Sequence, residues 1–474
     1  MKQRSFALED QMAFAKLSGD YNPLHIDNVV ARRLIFGRPV VHGVHSLLWA
    51  LDTWVGSRPD PVEFRAVKSV FLKPIPVEEV VEYSLACDEE DHVEIELLVD
   101  GSVATTIAVA WAAPGDTAQD PPPGNPERRD CRVLSFEATA GASGSLGLYL
   151  DAGAAKELFP CLMQRLSPIQ LAEILATTRL VGMECPGLHS VFSELNLTFH
   201  DEVDGSFELT YEVAKSDKRF SMLLMEVAAP GMKGRVKAFV RPGPQEQDSF
   251  LSLSERVDRT EFAGQRAVVI GGSRGLGEVA SKLLSAGGAE VRITYHLGAE
   301  DARRVVDEIL AGGGSASSLS LDVLDEGQDW PGKLGNGWVP THMYYFATPF
   351  IASAAKGTFS TPLFLRFCDY YVTGFLRSFE QLKKLGLKNV FYPSSVFVDQ
   401  VPSGMGEYAA AKMAGEVLCT FLEKHNRGIA IHKPRLPRMS TDQTASILPV
   451  NSQEPVPTML KHLRHLRDSS HQTS

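Results

Sequence analysis

The sequence predicts a multidomain chain: two α+β modules, each a helix against an antiparallel sheet, followed by an α/β domain with a doubly wound parallel sheet. Three observations lead there. Two stretches rich in Pro, Gly and charge, APGDTAQDPPPGNPERRD (113–130) and RPGPQEQDSFLSLSERVDR (241–259), punctuate the 474 residues. Such composition buries too little apolar surface to repay ordering, so both read as linkers. Segments 1–115 and 128–243 share one layout, a helix-like apolar stretch followed by strand-like alternation. Segment 260–474 alternates strands and helices, the pattern of a parallel sheet.

In the first module VVHGVHSLLWALDTWV (40–55) is the helix, and AVKSVFLKPIPVEEVVEYSLACD and HVEIELLVDGSVATTIAVAWA supply strands. In the second, SPIQLAEILATTRLVGME (167–184) is the helix, with Ser167 as cap and Pro168 in the first turn. Strands HSVFSELNLTFHDE, GSFELTYEVAKSD and RFSMLLMEVAAP follow. One helix on one sheet, twice, predicts a pseudo-dimer of modules. The third segment reads RAVVIGG, helix, AEVRITYH, helix, SLSLDV, YYFAT, helix, NVFYPSS, helix, IAIHKPR, and closes on a polar tail, LRHLRDSSHQTS.

Composition narrows the function classes. A hydrophobic share of 44% and a charged share of 22% suit a folded protein. The net charge of −11 gives no support to nucleic-acid binding. MKQRSFALEDQM turns acidic where a secretory signal needs an apolar core. The most apolar run, VATTIAVAWAA (103–113), is too short for a bilayer, so no membrane partner is expected. Six cysteines stand singly with no C-x-x-C pair, so neither a disulfide scaffold nor a metal site is expected. A cytoplasmic enzyme is the resulting expectation.

Near the N-terminus, LSGDYNPLHID (17–27) sets Asp20 and His25 on either side of an Asn22-Pro23 turn. Pro fixes φ and Asn tolerates turn geometry, so the two side chains can converge as an acid/base pair. The plainer reading is a surface turn with a satisfied histidine. Phe14, Gly19, Asp20, Asn22, Pro23, His25 and Ala31 together resemble the signature of the MaoC-like, (R)-specific enoyl-CoA hydratases, which have a hotdog fold. The resemblance implies Asp20 and His25 as the catalytic pair and Asn22 as a positioning residue. Pro39-Val-Val-His42-Gly43 matches that family's second characteristic element, and the Gly43 amide at a helix N-terminus would bind the thioester oxygen, with His42 positioning substrate. His45 reads only as a helix residue. Nothing in 128–243 repeats the motif. Cys185, before Pro186-Gly187 and His189, reads as a small apolar residue beside a turn, and the second hotdog as a shaper of the acyl tunnel.

In the third segment Gly271-Gly-Ser273-Arg274-Gly275-Leu276-Gly277 follows a strand and opens a helix, where glycines admit a pyrophosphate to the helix N-terminus. Ser395 lies thirteen residues before Tyr408, and Tyr408-Ala-Ala-Ala-Lys412 is Y-x-x-x-K on one helix face. Together these resemble the short-chain dehydrogenase/reductase family over about 260–440. The resemblance implies Ser395, Tyr408 and Lys412 as catalytic, with the Lys412 ammonium lowering the Tyr408 pKa. It also implies nicotinamide-cofactor contacts from the glycine loop, Asp322, Val323, Ala347, Tyr408 and Lys412. The second strand ends Tyr295-His296 without the acid typical of NAD sites, and Arg274 can reach a 2′-phosphate. NADPH is therefore favoured, with NADH open. Three departures stand out: Tyr345-Phe346-Ala347-Thr348 replaces Asn-Asn-Ala-Gly, Tyr371 replaces the relay asparagine, and basic Lys433-Pro434-Arg435-Leu-Pro-Arg438 replaces Pro-Gly. The loop after Arg438 reads as a substrate lid.

The two resemblances share one species, the (R)-3-hydroxyacyl thioester. Expected, therefore, is a bifunctional 3-oxoacyl-thioester reductase and (R)-3-hydroxyacyl dehydratase of fatty acid or polyketide-type metabolism. It would act on CoA or acyl carrier protein thioesters, as a homodimer. Alternatives are an NAD-dependent degradative hydratase/dehydrogenase, or a dehydratase whose last domain is a nucleotide-binding or dimerisation scaffold.

Overall fold

The computed structural model describes residues 2–115, 120–200, 206–335, 337–351, 357–447 and 450–472. Residues 201–205 and 473–474, within the expected strands and tail, lie outside the described residues. The chain forms two compact units, 1–243 and 244–445 with 450–474.

The first unit carries ten strands: β1 (Lys2–Ser5), β2 (Glu63–Phe71), β3 (Val80–Asp88), β4 (His92–Val99), β5 (Ser102–Ala112), β6 (Ser143–Gly147), β7 (Ser190–Phe199), β8 (Glu208–Asp217), β9 (Met222–Ala229) and β10 (Met232–Val240). They form one antiparallel sheet in the order β1-β3-β4-β5-β2-β7-β10-β9-β8-β6. The order β1-β3-β4-β5-β2 repeats as β6-β8-β9-β10-β7. The halves meet where β2 pairs with β7, from Ala66–Thr198 to Val70–Glu194. Each half holds a helix, Gly43–Val55 and Pro168–Arg179. Both helices are buried nearly all round, the first mainly through apolar residues and the second with Gln170, Glu173, Thr177, Thr178 and Arg179 also enclosed. In the second helix every residue from Ile169 to Arg179 is buried. Along β4, Val93, Ile95 and Leu97 turn inward while Glu94 and Glu96 do not, the period of a half-buried strand.

The second unit adds β11 (Arg266–Ile270), β12 (Glu290–Tyr295), β13 (Ser315–Ser320), β14 (His342–Tyr345), β15 (Asn389–Phe391), β16 (Ser394–Ser395), β17 (Ala430–His432) and β18 (Arg435–Leu436). Six form a parallel sheet in the order β13-β12-β11-β14-β15-β17. The order reverses between β11 and β14, and open α/β sheets bind ligands at that switch point.

Several expectations need correction. The stretch 241–259 is not wholly a linker. Phe250–Ser254 is a helix, and Phe250, Leu253 and Val257 join the core of the second unit. Their i, i+3, i+7 spacing was hidden among Ser, Asp and Glu. The described part of 113–130 also packs: Gly124 N donates to the Leu150 carbonyl, Leu150 N donates to the Pro122 carbonyl, and Pro126 lies against Gly19. The final stretch is not a tail. Pro455–Gln472 is a helix with Met459, Leu460, Leu463 and Leu466 buried. Strands β1, β6 and β10 were not foreseen.

Candidate active sites

Gly19 ends the Leu8–Ser18 helix in a left-handed conformation, and the chain turns at once into Asp20. Asn22 then locks the turn. Its Oδ1 accepts from Leu24 N at 3.1 Å, and its Nδ2 donates to the carbonyls of Gly182, Gly187 and Leu188 at 3.1–3.3 Å. Asp20 is 2% exposed. Its Oδ2 accepts from Thr178 Oγ1 at 2.6 Å and its Oδ1 from the Asn22 amide at 3.2 Å. His25 Nδ1 lies 2.7 Å from the Val40 carbonyl. A carbonyl can only accept, so Nδ1 carries the proton and the neutral ring keeps its lone pair on Nε2. His42 stacks on His25 at 3.8 Å between centroids. Its ring nitrogens face two acceptors, Gln11 Oε1 and the Asp20 carbonyl, each at 3.0 Å. One ligand atom from each of Asp20, His25 and His42 falls within 4.8 Å of the others.

Burial sets the charges. It pushes the Asp20 carboxyl up to about 6, against the pull of the Thr178 and Asn22 hydrogen bonds. It pushes His25 down to about 4, with the Arg241 charge adding to the fall. At neutral pH His25 is therefore an uncharged base. Gly43 opens its helix, so its amide has no carbonyl four residues back and is available to an oxyanion. His45 stacks on Phe14 at 4.6 Å in the core, and Cys185 is a buried thiol pushed up to about 11 by burial.

In the second unit the turn from Gly271 to Gly277 joins β11 to the Gly275–Ala286 helix. A Cβ on Gly277 would stand 2.3 Å from the Gly271 carbonyl oxygen, so only glycine lets this turn close on the helix. Ser273 is buried, Leu276 packs on the core, and Ala347 N lies 3.0 Å from where a Gly271 Cβ would be. Arg274 faces Asp442 at 3.7 Å, and Thr441 of the loop after Arg438 lies beside Gly275. Asp322 Oδ1 accepts from Leu324 N at 2.9 Å, while its Oδ2 lies 3.8 Å from His296 Nδ1. Val323 is buried, and its carbonyl accepts from Arg377. This glycine turn at the opening of a helix fits the pyrophosphate of a dinucleotide.

Tyr408 hydrogen-bonds the Ser395 side chain, yet burial pushes it up to about 12. Lys412 Nζ donates to the Pro393 carbonyl at 2.8 Å and stands 3.9 Å over the Tyr371 ring, but 5.9 Å from the Tyr408 ring. Burial pulls Lys412 down to about 7. The expected lowering of the Tyr408 pKa by Lys412 is thus not what the protein alone provides. Tyr371 sits in a π-helical stretch, Asp369–Gly374, and its hydroxyl meets Thr348 Oγ1 at 2.5 Å. Arg435 is engaged by Glu416 through two contacts of 2.7–2.8 Å, and Arg438 donates to the Thr444 carbonyl.

Residues 1–107 match the family model described as MaoC like domain. The N-terminal module is MaoC-like. A stretch of 69 residues is 41% identical to the peroxisomal multifunctional enzyme type 2 of Drosophila melanogaster, covering 14% of this chain and 12% of that one. Another, of 41 residues, is 46% identical to the (R)-specific enoyl-CoA hydratase of Aeromonas caviae, covering 9% and 31%. A third, of 78 residues, is 36% identical to the probable tetrahydroxynaphthalene reductase of Zymoseptoria tritici, covering 16% and 29%. The chain thus spans less than a third of each of these relatives. The short-chain dehydrogenase/reductase of Serratia marcescens is similar at 18% identity and a TM-score of 0.40, over 44% of this chain and 91% of that one.

The MaoC-like module does not complete its own site. Thr178, Gly182 and Arg241 come from the second half, and Gln11 from the helix before the motif. A Cβ on Gly182 would lie 2.1 Å from Asp20 Oδ1. No sequence signal marked these four residues, since each acts through a long-range contact. Chemically, Asp20 and His25 each bring a ligand atom within 4.8 Å of the other, a spacing that one water can bridge. One of them can take a proton from that water and return it to carbon.

No helix among the described residues is long and apolar enough to cross a membrane.

Proposed function

We propose that the N-terminal unit is a double hotdog that interconverts trans-2-enoyl and (R)-3-hydroxyacyl thioesters. The observation that carries this is the pair of buried Asp20 and half-buried, uncharged His25, within 4.8 Å, beside a helix that opens with Gly43. Asp20 and His25 hold the water, and one of them passes a proton to or from the α-carbon. The Gly43 amide takes the charge that builds on the thioester oxygen. The second unit acts on the same 3-hydroxy species as a 3-oxoacyl-thioester reductase. A nicotinamide cofactor, NADPH in preference to NADH, would supply the hydride. The Gly271–Gly277 turn would hold its pyrophosphate, Ser395 the substrate oxygen, and Tyr408 the proton. Having both sites on one chain raises the concentration of one product at the other site. CoA or acyl carrier protein carries the acyl group, and the working unit is a homodimer in the cytoplasm.

The test is a pair of assays on the full chain: hydration of a 2-enoyl-CoA, and NADPH consumption with a 3-oxoacyl-CoA. Both should proceed. A second reading has its own support. Lys412 lies over Tyr371 rather than Tyr408, and Arg274 faces Asp442, which favours a nucleotide-binding scaffold. Tight NADPH binding without turnover would establish that reading and end the bifunctional one.

A further inference from the structure

The loop after Arg438 lies on the glycine turn of the second unit. Thr441 covers Gly275: a Cβ on that glycine would stand 3.6 Å from Thr441 Cγ2 and 3.7 Å from its Cβ. Gly275 opens a helix of 12 residues, and the first amides of such a helix lack intrahelical acceptors and attract anions. A glycine at that place lets a pyrophosphate come close, yet here the chain's own threonine fills the approach. Beside it, Asp442 is 6% exposed. Its Oδ2 faces Arg274 Nη1 at 3.7 Å, and its Oδ1 accepts from the Gln245 amide at 2.6 Å. The loop is held in this shape. Thr444 Oγ1 accepts from Thr441 N at 3.0 Å and donates to the Met439 carbonyl at 2.5 Å. Ser440 N donates to the Gln453 carbonyl at 3.2 Å, and Arg438 donates to the Thr444 carbonyl.

A carboxylate facing an arginine at the opening of a glycine-led helix stands where a phosphate would be drawn. A phosphate attracted to the same guanidinium meets that carboxylate, and the two negative charges repel. We infer that Asp442 competes with a cofactor phosphate for Arg274, so that a dinucleotide binds once the loop 439–444 has given up Arg274 and uncovered Gly275. Asp442 thereby sets how tightly the second unit holds its nucleotide. This rests on the nicotinamide-nucleotide reading of the turn, which the reductase and the scaffold share.

Calorimetry of NADPH and NADH on the full chain tests it, with Asp442→Asn, Arg274→Met and the two combined. Asparagine keeps an oxygen for the Gln245 amide and loses only the charge. Asp442→Asn should tighten NADPH binding by about tenfold, the affinity regained when a competing closed form is removed. In the Arg274→Met background the same substitution should change affinity by less than about twofold, since the pair is already broken. A larger gain for NADPH than for NADH assigns Arg274 to the 2′-phosphate, and an equal gain assigns it to the pyrophosphate; both support the inference. If Asp442→Asn does not fold, Asp442→Ser takes its place. Nucleotide binding that the loss of the Asp442 charge leaves unchanged or weakens overturns the inference alone, as does a gain that persists without Arg274. Failure of the unsubstituted protein and of Asp442→Asn to bind either nucleotide removes the nucleotide reading as well.

Discussion

The two units bury their proton-handling groups by the same physics and reach different results. In the first, burial lifts Asp20 to about 6 and lowers His25 to about 4, which brings acid and base close together. In the second, burial lowers Lys412 to about 7 but lifts Tyr408 to about 12, which keeps them far apart. The difference lies in the neighbours. Asp20 receives two hydrogen bonds that favour its charge, while Tyr408 receives one from a neutral serine and its lysine faces another ring. Desolvation alone does not activate a site. Partners placed on the charged form decide how far it is offset.

The comparison can be broken most directly by substitution. Asp20→Asn should lower enoyl hydration by about 10²–10⁴-fold and leave NADPH-dependent reduction intact, and Tyr408→Phe should do the reverse. Steady-state assays of both activities check this, and loss of both activities in either variant would end the separation of sites. Next comes Gly182→Ala. Its methyl would occupy the Asp20 carboxylate, so hydration should fall by at least about tenfold while reduction persists.

The pH profiles should run in opposite directions. Hydration needs Asp20 as carboxylate, so kcat/KM should rise as pH passes about 6 and then level off. Thr178→Val removes a hydrogen bond that favours the carboxylate, so it should move that limb upward. Reduction that needs the Lys412 ammonium should decline above about pH 7. Parallel profiles would refute the contrast.

The smallest effect is on stability. The folded pKa of Asp20 lies above its ordinary 3.8, so its contribution is fully present below that value and is lost as pH rises through about 6. Two pKa units correspond to about 3 kcal/mol. Asp20→Asn should therefore raise stability at pH 8 by on the order of 1–3 kcal/mol, and the gain should vanish below about pH 4. Urea unfolding at both pH values measures it.

Much of this was legible in the chain. The Asn22-Pro23 turn, the strand alternation around Val93, Ile95 and Leu97, and the glycine turn at Gly271–Gly277 are local patterns, and local patterns survive in sequence. Boundaries were less legible where apolar stripes were thin: Phe250, Leu253 and Val257 hid among polar residues, and Leu463 and Leu466 within a basic, serine-rich end. Gln11, Thr178, Gly182 and Arg241 left no trace, because their roles depend on contacts with residues far away in the chain.

The sequence by itself determined which groups could do chemistry: Asp20 and His25 across a turn, and Tyr408 and Lys412 one helical turn apart. It also determined that two helix-and-sheet modules precede a nucleotide fold, since periodicity and turn residues are short-range. Only the tertiary structure decided their charges and company. Desolvation depends on everything packed around a group, and that packing brought Thr178 to Asp20, turned Lys412 onto Tyr371, and set Asp442 against Arg274.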